Sequence, residues 1–261
     1  MEHGSGASTA QNWWSEVRAV FTKDLRSELR TRAAVATILL FAVVTLIVIS
    51  LMVPTEGRGL THELVPDYRE LLRRDPNAEL FRMTLNETVV RAYLLSALLW
   101  VVLFFSAMAG LPRTFVKEEE MRTAGALRLY ARPSAVFAGK LAFNCVLSLV
   151  VVLVVLPLFL VLFRPRVVDW GLFLAHLPLG ALGMAGSATI LGAIVARAGG
   201  KSYLMLPLAF PVLLPVLAFA IDGTAAAVLG KEGNRIIALV SYLVAMTTVS
   251  ALLFERVWSD S

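Results

Sequence analysis

Six uninterrupted apolar runs divide the chain, at residues 33–53, 92–112, 141–163, 170–196, 202–221 and 236–254. A helix needs about 20 residues to cross the roughly 30 Å hydrocarbon layer of a bilayer, and each run is of that order. None of them contains Asp, Glu, Lys or Arg. Away from water every backbone group must find its partner within the segment, so the pattern predicts six transmembrane helices and an all-α integral membrane protein. Ahead of the first run, Val17, Phe21, Leu25 and Leu29 recur every four residues, while Arg18, Lys23, Arg26 and Arg30 take other faces. That spacing, led by Trp13 and Trp14, predicts an amphipathic helix over 13–32 lying along the membrane surface. It reads either as a simple anchor or as a gate or docking element. Residues 1–12 are small and polar and are expected to be disordered. The six-span body then occupies 33–261.

Two extramembrane stretches carry pattern of their own. Residues 54–91 form the largest, in which Asp75 followed by Pro76 reads as an N-cap with proline at the first helical position. A helix starting at Pro76 is expected to run directly into the second span, with Leu64, Leu71 and Leu72 packing against it. Residues 113–140 form a polar elbow bearing both signs of charge. Glu118, Glu119 and Glu120 open it, and Glu118 stands four residues before Arg122, a favourable helical ion-pair spacing. Gly125 weakens helix there by about 1 kcal/mol relative to Ala. Leu127 and Leu129 continue a short apolar piece, and Pro133 biases Arg132 away from helical geometry. Two short helices with a bend are expected. The elbow reads as a docking site for a motor subunit or, with equal weight, as a plain solvated connection.

Within the spans, Pro157 and Pro178 interrupt the third and fourth runs, and Pro207, Pro211 and Pro215 fall on nearly one face of the fifth. Each proline deletes a backbone donor, so a kinked or locally broken fifth helix is expected, as a mobile or substrate-lining segment or as a static kink. Gly180, Gly183, Gly186, Ser187 and Gly192 in the fourth run read as small residues for close helix packing. Residues 222–235 form a short connection, with a re-entrant turn expected at 225–229.

Composition agrees with a membrane body. Of 261 residues 58% are hydrophobic and 16% charged, with mean hydropathy +0.75, against about 45–50% apolar in soluble domains. An even number of spans puts both termini on one side, and 14 of the 24 Lys and Arg fall on that side. Lys23, Arg26, Arg30 and Arg32 lie beside the first span, where basic residues weigh most. Termini and elbow are therefore placed in the cytoplasm, with 54–91 outside. The net charge of +5 follows from basic inner loops and calls for no nucleic acid. The single cysteine, Cys145, has no internal disulfide partner. The first apolar run lies too far from the start, and is too long, for a cleavable leader.

Catalytic patterns fail on inspection. Gly199, Gly200, Lys201 and Ser202 mimic the end of a phosphate-binding loop, but Val195 stands where its first glycine belongs. His62 and Glu63 begin like a zinc-protease helix, but Pro66 replaces the second histidine. His176 is the one intramembrane candidate for metal or haem ligation, and it reads better as a lone hydrogen-bonded histidine. No enzyme and no bound cofactor are expected.

Several of these stretches resemble the CcmB family, the permease subunit of the cytochrome c maturation haem exporter and a type-2 ABC exporter permease. Residues 23–32, KDLRSELRTR, are similar to the family's entry into its first span, and 98–120 to its second span and following loop. Gly125, Leu127, Leu129, Pro133, Gly139 and Lys140 match its E-x-x-x-G-x-L-x-x-L-x-x-x-P-x-x-x-x-x-G-K region, the acidic position falling among Glu118, Glu119 and Glu120. Residues 199–220 resemble its glycine pair and proline-rich fifth span, and the long loop 54–91 departs from it. The resemblance implies a dimer or small hetero-complex in the bacterial inner membrane and an ABC ATPase subunit that carries the ATP and is engaged by the elbow. It also implies a haem-handling membrane protein and a haem chaperone as partners. Haem is then cargo, or ATP drives release of the loaded chaperone. The sequence leaves two alternatives beside this: a permease for lipid, polysaccharide or drug, and a non-transporting scaffold for haem-handling proteins.

Overall fold

The computed structural model describes residues 5–31, 33–52, 76–111, 115, 118, 123–197, 205–231 and 235–259. Among them all regular structure is helical: α1 (Ser5–Thr31), α2 (Ala33–Met52), α3 (Pro76–Gly110), α4 (Ala124–Tyr130), α5 (Pro133–Phe163), α6 (Trp170–Arg197), α7 (Met205–Leu229) and α8 (Arg235–Ser259). Five helices are long and apolar enough to cross a membrane, namely α3 over Glu87–Gly110, α5, α6, α7 over Pro207–Leu229, and α8 over Arg235–Trp258. In α2 the qualifying apolar stretch, Ile38–Met52, is shorter.

Several boundaries differ from the sequence reading. Helix α1 starts at Ser5 rather than near Trp13, because the preceding Ala and Ser residues contain no proline and alanine is the strongest helix former. Helix α3 does run from Pro76 straight into its span over 35 residues, about 52 Å at 1.5 Å per residue, so its first turns project well past the hydrocarbon layer. Residues 54–75, with Leu64, Leu71, Leu72 and the Asp75 cap, lie outside the described residues. Helix α5 begins at Pro133, eight residues before the apolar run, with Arg132 extended at ψ 144° as the following proline requires. Helix α7 continues to Leu229, so 225–229 is its last turn and not a re-entrant one. The helix passes Asp222 because that carboxylate is taken up by Tyr93 Oη, which donates at 2.8 Å, and by the Arg235 guanidinium. Gly230, at φ +64°, then closes the helix against Val168.

Helix α6 is the hub. It packs on α3, α5, α7 and α8, and 83% of its apolar window is buried against 11% for α8. The small residues explain the difference. The backbone at Gly180 lies directly under the Trp100 indole, where a Cβ would collide with the ring, and Gly183 and Gly186 face Val216 and Thr247. Polar ties then fix the register: Trp100 Nε1 donates to Thr224 Oγ1 at 3.1 Å, and Tyr242 Oη donates to the Val212 carbonyl at 2.7 Å while lying 2.9 Å from Ser187 Oγ.

Candidate functional site

The first turns of α5 and the middle of α1 lie against one another, and Gly139 is the reason they can. A Cβ there would sit 2.8 Å from Val20 Cβ and 3.0 Å from the Val17 carbonyl oxygen. The absent side chain lets the two backbones close on each other. Trp13 Nε1 donates to Ser134 Oγ at 3.2 Å. Glu16 accepts the Arg132 backbone N–H at 3.0 Å and pairs with its guanidinium at 3.4 Å, which holds the N-terminal end of α5. The amphipathic face of α1 is therefore spent in part on protein: Val20 is buried, whereas Trp14 and Leu29 stay exposed.

One residue further on, the Lys140 side chain is completely buried and its Nζ lies 3.2 Å from Asp24 Oδ2 and 3.0 Å from Glu118 Oε2. Lys23 pairs with the other Glu118 oxygen and lies 3.5 Å from Asp24. Among the described residues two cations meet two carboxylates, so these four charges balance, the condition under which buried charge is tolerated. The Phe115 ring lies 4.6 Å from Lys140 Nζ in a cation–π contact. Burial pushes the Asp24 carboxyl above its ordinary value, against the pull of Lys140 and Lys23 and with help from the Glu118 charge. At Lys23, burial favours the neutral amine, but the hydrogen bond and charge of Glu118 outweigh it, and its affinity for the proton ends up raised.

The elbow hangs on this cluster. Phe115 is buried against Phe254 and Trp258 of α8, and Glu118 is turned inward onto the lysines instead of facing solvent. Arg122, its expected helical partner, lies outside the described residues, as do Glu119 and Glu120. The Thr123 N–H donates to the Glu118 carbonyl at 2.9 Å, and the short helix α4 follows at Ala124; residues 119–122 lie outside the described residues, so the first of the two expected short helices is not among those described. Leu127 packs into a cluster with Val136, Phe137, Ile190, Phe254 and Trp258. Leu129 and Tyr130 point the other way, 84% and 86% exposed, and a Cβ at Gly125 would meet open space. Pro133 sits at the first turn of α5, where its missing N–H costs nothing.

The three prolines of α7 are elsewhere. Pro207, Pro211 and Pro215 all lie on the exposed side of one continuous helix, so the expected break is absent. Pro211 and Pro215 each remove one rung from the same outer stripe and leave the rungs on the packed side intact, while Pro207 sits in the first turn, where no rung is lost. His176 is buried, with Nδ1 2.7 Å from the Leu172 carbonyl, and its imidazole lies so close over Gly223 that no larger residue fits there. It is a packed histidine. Among the described residues no group of three His, Cys, Asp or Glu is placed to hold a metal ion.

Local pattern does not single out Lys140, Asp24 and Lys23 as one site, because Lys140 stands immediately before an apolar run, where a charge reads as a span boundary. A signal was available. Lys140, Asn144 and Ser148 recur every four residues and lie on one face of α5, which is a buried face.

A family model described as CcmB protein matches residues 86–257. No curated protein and no solved structure matches the chain.

Proposed function

The chain belongs to the CcmB family, and from that membership we propose that it is the permease subunit of an ABC transporter complex in cytochrome c maturation. In this reading ATP is hydrolysed on a separate subunit, and the energy drives haem export or the release of a haem-loaded chaperone. Helix α2, 20 residues long and so about 30 Å, supplies a sixth span. The termini and the elbow face the cytoplasm of a bacterial inner-membrane protein, in keeping with the basic residues around α1 and the elbow. On the exposed stripe, Pro211 and Pro215 leave the carbonyls of Pro207 and Pro211 without intrahelical donors, and lipid cannot satisfy them. We assign that face to a partner, either a second copy or a haem-handling membrane subunit.

The observation that carries the coupling role is the build of α4. Leu127 fastens the helix from behind while Leu129 and Tyr130 offer apolar surface to the front, and exposed apolar residues on an extramembrane element mark interaction sites. Thrust on α4 passes through Glu118 and Phe115 to Lys140, hence into α5 and the α6 hub. Leu129→Asp with Tyr130→Ala is expected to lose at least tenfold in co-purified ATPase subunit and in covalent c-type haem, with the permease level in the membrane unchanged. Because Gly125 has open space around it, Gly125→Gln disturbs nothing inside this chain, and a loss of coupling there reports the partner directly. Normal ATPase capture and normal cytochrome levels in both variants would overturn this reading.

A further inference from the structure

A small cavity of about 10 Å³ lies between α2, α3, α5 and α6, lined among others by Ser106, Ser148, Gly110, Ile38, Leu147 and Met184. Its two hydroxyls are buried, Ser106 at 0% and Ser148 at 6% exposure, and neither Oγ has a hydrogen-bond partner among the described residues. This is unusual in a helix, where a serine hydroxyl ordinarily donates to the carbonyl one turn back, as Ser187 does to Gly183 at 3.1 Å. One turn from Ser148, toward Lys140, the Asn144 amide donates to Thr189 Oγ1 at 2.9 Å, yet its Oδ1 is also without a partner. A buried polar ladder thus descends α5 from Lys140 through Asn144 to Ser148, about 12 Å along the helix, and ends at the cavity. Beyond it the lining is Val151 and Val152.

We propose that this cavity holds an ordered water that bridges Ser106 of α3 and Ser148 of α5 at the foot of the polar ladder. Three physical conditions agree. The volume is that of a single water. Two hydroxyls from different helices each have a donor and acceptor capacity to offer it. Leaving both unpaired would cost more than ordering the water, since an unsatisfied buried hydroxyl loses its hydration without return. The site admits one small hydrogen-bonding molecule and is far too small for a porphyrin. Its position makes it a wet contact between α3 and α5 inside an otherwise apolar body.

Met184, 2% exposed, lines the same cavity, and its thioether is a natural reporter, because hydroxyl radicals made by X-ray radiolysis of a bound water oxidise the side chain beside it. On the full chain in nanodiscs, Met184 is expected to gain sulfoxide in a dose-dependent manner despite its burial. The yield should fall at least threefold in Ser106→Ala/Ser148→Ala, where methyl groups make the cavity dry. If the double variant does not fold, Ser106→Ala and Ser148→Ala taken singly are expected to give partial losses. An unlabelled Met184 in the unmodified chain, or an undiminished yield in the variants, would sink the proposal.

Discussion

Moving a lysine ammonium out of water costs several kcal/mol, and a protein recovers it only when carboxylates of good geometry surround the charge. Lys140 meets that condition with Asp24 and Glu118, at 3.2 and 3.0 Å. Lys140→Met should therefore destabilise the chain by about 3–5 kcal/mol, since it strands buried carboxylates. Adding Asp24→Asn to it should recover part of the loss, and thermal unfolding in detergent measures both. The pH dependence has a definite sign. Lys23 binds its proton more tightly in the folded chain than free, so its contribution is complete below about pH 10.4 and fades as pH rises through the higher folded value. Asp24 is shifted the opposite way from a usual ion-paired carboxylate. Its own contribution improves on acidification toward about pH 4 and does not weaken. Asp24→Asn should abolish that acid-side gain, as read from proteolytic release of α1. A departure of α1 from α5 at neutral pH with all four charges in place would contradict both expectations.

Between helices, the contacts that matter most are set by what is missing. Gly139 leaves room for Val20 and the Val17 carbonyl, and Gly180 leaves room for the Trp100 ring. Neither neighbour has slack: one contact is to backbone, and the other is to an indole held by Thr224. Gly139→Val and Gly180→Val should each cost about 1–3 kcal/mol by overpacking. They are expected to separate in cysteine cross-linking, the first loosening α1 from α5 only and the second loosening α3 from α6 only. Equal loosening of both pairs by either change would refute this division. The helices themselves were legible from apolar run length and from the proline positions, down to the extended Arg132 before Pro133. Their ends were not. Lys140 and Asp222 looked like boundaries because charge normally stops a span, whereas here each is matched by partners outside its own helix: Asp24 and Glu118 for the first, Tyr93 and Arg235 for the second.

As a whole, the molecule is polar at both ends of its bundle and unlike at the two. One end gathers α1, α4, the start of α5 and the tails of α6 and α8 around Phe115, Phe254 and Trp258; the other is pinned at Asp222. Orientation follows as an expectation of the proposed function. On a Cys145→Ala background, Gly125→Cys should react with an impermeant maleimide only in inside-out vesicles, and Lys231→Cys only in right-side-out ones. The reverse pattern would put α4 on the wrong side for an ATPase and remove the coupling role.

The linear order of residues decided that this is a helical membrane body and roughly where its long apolar helices lie, because burial in lipid imposes length and apolarity locally. It also placed the small residues of α6 on packing duty, since small side chains allow such close approach. Folding in three dimensions decided which charges are buried. Whether Glu118 faces water or Lys140 depends on α1 crossing α5 at Gly139, a juxtaposition of residues more than a hundred positions apart that no local pattern encodes.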